Sequence, residues 1–154
     1  MSSKFLCDRM LGSLCRWLRM AGMDTTYPGE LKDIELEKMA AIEGRILLTR
    51  DSELARRVLG AVLLTSTQLD AQLRQVERET GLVLEFKMVR CTACNGELEL
   101  INERERGVVP KGVLERGLDA WMCANCKKTY WEGSHCEGIK RRFTQLHRDS
   151  SPFR

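Results

Sequence analysis

The 154-residue chain lacks any apolar run long enough to cross a membrane as a helix. Its opening, MSSKFLCDRM, also lacks the uninterrupted apolar stretch of a secretory signal, because Asp8 and Arg9 break it. These two absences lead us to expect a soluble, cytoplasmic protein. There is no internal repeat and no low-complexity segment, and the length suits a single domain, or a small domain of about 85 residues with an appended module. An even number of cysteines is lacking as well: there are seven, and four of them form two Cys-x-x-Cys pairs. In a reducing compartment such pairs point to metal rather than to cystine.

What is present is ordinary in amount and uneven in distribution. Hydrophobic residues make up 43% and charged residues 31%, as in a soluble globular protein. Residues 1–86 hold 12 Lys/Arg against 13 Asp/Glu, net −1, whereas residues 87–154 hold 13 against 9, net +4. A near-neutral front and a basic back suit a core domain joined to something that meets an anion.

The front half alternates between two periods. KFLC, stopping at Asp8, reads as a first strand. Leu11, Leu14, Cys15, Leu18 and Ala21 then recur at helical spacing up to Gly22, with Arg9, Arg16 and Arg19 away from the centre of that face. MDTTY reads as a second strand before Pro28-Gly29. Asp33 is a candidate N-cap for the helix IELEKMAAIEG, which Gly44 ends. RILLT is a third strand, SELARRV a short helix, AVLLT a fourth strand, and a last helix opens at Ser66 or Thr67 and closes at Gly81. Alternating strands and helices with short links predict an α/β fold: a parallel sheet with helices on both faces. Past Lys87 the style changes. Residues 88–140 carry five cysteines and six glycines and little apolar periodicity, so a small, turn-rich unit stapled by metal is expected. We therefore divide the chain into 1–87, a ribbon at 88–142, and a tail at 143–154 that starts as a helix and frays into disorder.

Cys91 and Cys94, then Cys123 and Cys126, are separated by 28 residues, and two such turns complete a tetrahedral four-thiolate shell for one zinc ion. Gly96 lets the backbone pass close to sulfur. A closed shell leaves no place for water, so this zinc is structural and chemistry must come from elsewhere. Cys7 and Cys15 are most simply small apolar fillers. Cys136 beside His135 suggests a nucleophile pair, but no third group that would orient it is visible.

In an α/β sheet, ligands collect outside the carboxyl ends of the strands. Asp8 ends the first strand, Asp51 ends the third, Asp33 heads a helix on the same side, and Glu53 follows in the turn after Asp51. Each alone has a plain reading, as a strand end, a cap or a helix-start acid. Together, and without an obvious cation, they invite a divalent metal suited to phosphodiester hydrolysis.

KFLCDRMLGSLCRWLRMAGMD, GRILLTRDSEL and RCTACNGEL…CANCKKTYWEGSH, agreeing in order over roughly residues 3–142, resemble the PIN-like RNase domain with zinc ribbon found at the C-terminus of Mut-seven-type exonucleases and in free-standing prokaryotic proteins. That resemblance implies a PIN-like fold and cleavage of RNA, chiefly single-stranded, with Mg²⁺ or Mn²⁺. It makes Asp8, Asp33 and Asp51 the metal ligands and Glu53 the candidate fourth acid; Glu35 and Glu37 compete for the place of Asp33, and Thr49 supports Asp51. Proteins similar to this one often pair, so a homodimer is an open possibility.

For the nucleic acid, Arg9, Arg16, Arg19 and Arg50 flank the acids and offer guanidinium groups to backbone phosphates. In the ribbon, Lys127, Lys128, Lys140, Arg141 and Arg142 interleave with Tyr130 and Trp131, a mixture that stacks unpaired bases while neutralising charge. Trp121 is read instead as a plug for the ribbon's core. The competing reading is a non-catalytic RNA- or ribosome-binding protein on the same fold. A phospho-acceptor receiver domain is excluded, since LCDRM has no adjacent acid pair and AVLLTSTQ no terminal lysine.

Overall fold

A computed structural model of the chain describes residues 2–148. The front half is built on four parallel strands, β1 (Lys4–Cys7), β2 (Asp24–Thr26), β3 (Ile46–Thr49) and β4 (Val62–Leu63), in the order β2-β1-β3-β4. Helices α1 (Gly12–Met20), α2 (Asp33–Glu43), α3 (Ser52–Arg57) and α4 (Leu69–Thr80) connect and follow them. Alternate residues of a strand face opposite ways, and both faces are covered here. Phe5, Cys7 and Leu48 pack with Leu14, Leu18, Leu73 and Val76 from α1 and α4. Leu6 and Leu47 pack on the other face with Leu36, Ala40 and Leu54 from α2 and α3. All five residues of the apolar stripe expected for α1 are buried, and Gly22 follows at φ +78, the left-handed value that ends a helix. Cys7 and Cys15 are core fillers, and burial pushes the Cys7 thiol well up.

Two helix starts differ from expectation. Lys32, not Asp33, occupies the N-cap of α2; its N–H donates to the Glu35 carboxylate at 2.8 Å, and Asp33 becomes the first helical residue. Helix α4 begins at Leu69, beyond Ser66 and Thr67, because two buried glutamines hold the preceding loop extended. Gln75 donates to the Leu63 carbonyl (2.7 Å) and accepts from the Thr65 N–H (3.1 Å), while Gln72 donates to the Ser66 carbonyl (2.8 Å).

Beyond Lys87 a three-stranded antiparallel sheet forms, β5 (Leu98–Leu100), β6 (Ala120–Cys123) and β7 (Thr129–Trp131), with a short helix α5 (Lys111–Glu115). Its small core is Val109, Val113 and Ala120; Trp131, rather than Trp121, packs against it. Helix α6 (Ser134–Arg148) then returns to the front half. Residues 143–148, placed by sequence in a fraying tail, instead complete this helix: Phe143 and Leu146 are buried in the α1/α4 core, with the Phe143 ring 5.2 Å from that of Trp17. The amphipathic spacing of these residues gives the helix a face to bury, and burial holds its last turns. The remainder of that tail, 149–154, lies outside the described residues. Among the described residues no helix is long and apolar enough to cross a membrane.

A polar clamp joins the two sheets. Edge strand β2 would leave groups of its backbone unpaired, and the other half of the chain supplies partners. Asn95, at φ +69, accepts from the Thr25 N–H at 2.9 Å and donates to Asp24 Oδ1 at 2.7 Å. Arg45 reaches the same Asp24 oxygen at 2.8 Å. Burial pushes the Asp24 carboxyl up, but these bonds outweigh it and hold the group below its ordinary range. Arg19 is the keystone. Buried on the Cys15 side of α1, it donates from Nε to the Thr25 carbonyl (2.9 Å) and from Nη1 to the carbonyls of Thr92 (3.0 Å) and Ala93 (3.3 Å). Arg19→Ala orphans these carbonyls, and a loss of about 3 kcal/mol is expected. Thermal denaturation should show a fall of roughly 10 °C for a chain of this size; an unchanged midpoint would refute the keystone role.

Candidate nucleic-acid-processing site

The strand order reverses at β1, since β2 lies on one side of it and β3 on the other. Such a switch point opens a crevice at the carboxyl ends of the central strands. Cys7 pairs with Leu48 in register, and the Asp8 N–H continues the ladder to the Leu48 carbonyl at 3.0 Å. The two chain ends therefore emerge side by side. Thr49, fully buried, links them: its hydroxyl donates to Asp8 Oδ2 at 2.8 Å and accepts from the Asp51 N–H at 3.0 Å. Thr49 thus supports the Asp8 carboxylate and the Asp51 backbone, where sequence reasoning had it supporting Asp51 alone. The Asp8 carboxylate also accepts from the Arg9 N–H at 2.7 Å. Asp51 is the N-cap of α3 and accepts from the Glu53 and Leu54 N–H groups at 2.9 and 3.1 Å, leaving its other oxygen, Oδ2, outside these bonds.

The outer acids are placed differently. Asp33 is ion-paired with Arg57 at 3.0 Å, and Arg57 also holds Glu37 at 2.7 Å. The expectation that the acids meet no cation therefore fails at Asp33. The guanidinium lies 24 residues along the chain, on α3, and cannot be paired with α2 by reading either helix alone. Glu53 is exposed in the first turn of α3, with only its backbone engaged by Asp51. Asp70, in the first turn of α4, is bound by Arg142 at 2.7 Å.

Among the expected phosphate ligands, Arg9, Arg50, Lys127 and Arg141 are exposed, and Arg16 is exposed on α1. Arg19 is withdrawn from that set, because its guanidinium is spent on backbone carbonyls within the protein. Arg142 is likewise engaged, on Asp70 and over the Trp17 ring at 4.9 Å. Lys128 stands 5.6 Å over the Tyr130 ring, and Trp131 is half-buried. The Cys136 thiol is buried, is pushed up by that burial and sits 3.6 Å from the Trp131 carbonyl, which leaves the pair with His135 without an active nucleophile.

The cysteine knuckles come together fully. The sulfurs of Cys91, Cys94, Cys123 and Cys126 all lie within 4.8 Å of one another, and among the described residues this is the one such group of three or more potential ligands. Gly96 is required: a Cβ there would lie 2.6 Å from Cys123 Sγ and 3.2 Å from Cys94 Sγ. The Gly96 and Cys126 N–H groups point at sulfur, each at 3.4 Å. Crowding splits the thiols. Burial opposes ionisation of Cys94, but the Gly96 N–H and the Asn125 amide hold it down to about 6. The Lys128 N–H lowers Cys126, yet burial and the three neighbouring sulfurs push it up to about 12. Four thiolates so close need a cation between them, and the donor set fits a soft, tetrahedral metal ion. The Tyr130 hydroxyl, 3.0 Å from Cys91 Sγ, is itself pushed up to about 12 by burial and by that sulfur, so it stays a donor.

These features define a class: an α/β domain with acids at its switch point that carries a four-cysteine metal-binding ribbon. Residues 3–143 match the model of the Mut7-C RNAse domain, and the chain belongs to that family. No curated protein and no solved structure matches it.

Proposed function

We propose that the protein is a divalent-metal-dependent ribonuclease that hydrolyses phosphodiester bonds of single-stranded RNA, on a PIN-like domain steadied by a structural zinc ribbon. The observation that carries this reading is the pair of carboxylates at adjacent strand ends, Asp8 and Asp51, tied through the Thr49 hydroxyl. Those two carboxylates are the primary ligands for Mg²⁺ or Mn²⁺, hard cations that take oxygen donors. Such an ion supplies stabilisation of charge on the phosphate and a more acidic water. Thr49 keeps Asp8 oriented, and the α3 backbone keeps Asp51 oriented, so neither must be ordered when substrate arrives. Arg9 and Arg50, each next to one of these acids, hold the phosphates on either side. Glu53, in the first turn of α3, and Asp33, paired with Arg57, are the candidate outer acids. In the ribbon, zinc is the ion that four thiolates favour.

The binder without catalysis is the second reading, and the Asp33–Arg57 pair favours it by neutralising one acid. Labelled single-stranded RNA separates the two. Cleavage with Mg²⁺ or Mn²⁺ that stops on addition of EDTA is the expected result; intact RNA under both metals would leave the binder.

A further inference from the structure

A cavity of ≈ 690 Å³ lies between the two halves of the chain, along the flank of α1 that carries Gly12, Arg16 and Met20, and facing β7 and the start of α6. Its charged lining has one sign. Arg16, Lys87 and Lys128 reach it, and no carboxylate does. Its walls also carry rings, with Tyr27 on the sheet side and Tyr130 and Trp131 on the ribbon side. Arg19 and Arg90 also line it but are engaged on backbone carbonyls, Arg19 in the clamp and Arg90 on that of Asn95. The cavity is connected to the first acid through Tyr27, whose hydroxyl donates to the carbonyl of Arg9, the residue that follows Asp8. Tyr27 further packs on Gly12, where a Cβ would come within 3.4 Å of its ring. The sheet-side wall is therefore fixed to the turn that carries the first acid.

We infer that this cleft is the track along which a single RNA strand reaches Asp8 and Asp51, its bases stacking on Tyr27 and Trp131 and its phosphates held by Arg16, Lys87 and Lys128. Cations alone would also attract an acidic peptide, but aromatic rings on both walls of a cationic groove match unpaired bases, whose π-faces a duplex hides. None of Tyr27, Lys87 and the cleft itself follows from the acid site, although the choice of RNA as ligand rests on the nuclease reading above.

The test uses the zinc-loaded full chain, a labelled 12-nucleotide oligo(U) and fluorescence anisotropy across a salt range, without added Mg²⁺ or Mn²⁺. The double reversal Arg16→Glu with Lys128→Glu should weaken binding at least tenfold. It should also flatten the dependence of log K on log salt by about 1.4, the share of two single-strand phosphate contacts. Both side chains are exposed, so zinc content and melting temperature should hold. Lys38→Glu with Lys111→Glu makes the same change in net charge on exposed residues outside the cleft and should do far less. Tyr27→Ala should cost roughly tenfold and Tyr27→Phe little, because the ring does the stacking. Equal effects of the two reversals, or a blunt duplex or polyglutamate bound as tightly as oligo(U), would overturn the cleft. If the wild type cuts RNA with Mn²⁺ while the cleft variants bind normally, the cleft is wrong and the nuclease stands. If the cleft binds oligo(U) as described and nothing is cut, the reverse holds.

Discussion

Asp8→Asn and Asp51→Asn should each reduce cleavage of single-stranded RNA by on the order of 10³-fold, because losing a ligand carboxylate forfeits several kcal/mol of charge stabilisation at the phosphate. Asparagine is chosen for what it keeps. At position 51 its carbonyl still caps α3, accepting from the Glu53 and Leu54 N–H groups, and asparagine is among the best N-caps. At position 8 its carbonyl still accepts from the Arg9 N–H, and its amide NH2, in the place of Oδ2, donates to the Thr49 hydroxyl, reversing the direction of that bond. The folds of both variants should therefore match the wild type by circular dichroism and thermal midpoint, and affinity for oligo(U) should persist. The charge is gone while each side chain keeps its place. Asp33→Asn should be milder, since Arg57 already neutralises that carboxylate. Full activity in both the position 8 and position 51 variants would end the assignment of the switch-point site.

Elemental analysis should return one zinc per chain, and removing it should unfold the ribbon. Apparent zinc affinities of four-ligand sites run to about 10 kcal/mol or more, which exceeds what a core as small as Val109, Val113 and Ala120 can supply. Gly96→Ala makes the same point without chelator. Its new methyl would overlap Cys123 Sγ and press on Cys94 Sγ and Asn125, and sulfurs fixed on an ion cannot yield. Zinc content well below one per chain is expected for that variant; a full equivalent would show that the knuckle has slack the distances deny.

Much of this was readable from local pattern. A strand that ends in an acid advertises where that acid emerges, and Asp8 and Asp51 stand where their strands aim them. The two Cys-x-x-Cys pairs, with Gly96, state their own geometry. What sequence did not yield is the destination of long cationic side chains. Arg19 lies four residues past Cys15, on the flank of the buried stripe, yet its partners Thr92 and Ala93 are more than seventy residues away and offer only carbonyls, which every residue carries. Arg57 and Asp33 pair across two helices in the same way. Tyr27 did carry a usable signal, since it follows strand two at the same end of the sheet as the acids. Gln72 and Gln75 gave none, because a glutamine inside a helix reads as solvated until a loop is found to need its amide.

Helix α6 gives the ribbon a second attachment. The chain leaves the front half at Lys87, whose N–H is bonded to the Met20 carbonyl at 2.8 Å, and comes back through Phe143, Leu146 and the His147–Glu77 contact at 2.9 Å. The ribbon is thus an excursion with both ends moored, not a pendant. A pendant swings about one point in any direction; a body moored at both ends and clamped between them through Arg19 and Asn95 is held against the front half. The groove beneath it is therefore framed by fixed walls, and removing Phe143 and Leu146 would pull plugs from the front half's own core before it freed the ribbon.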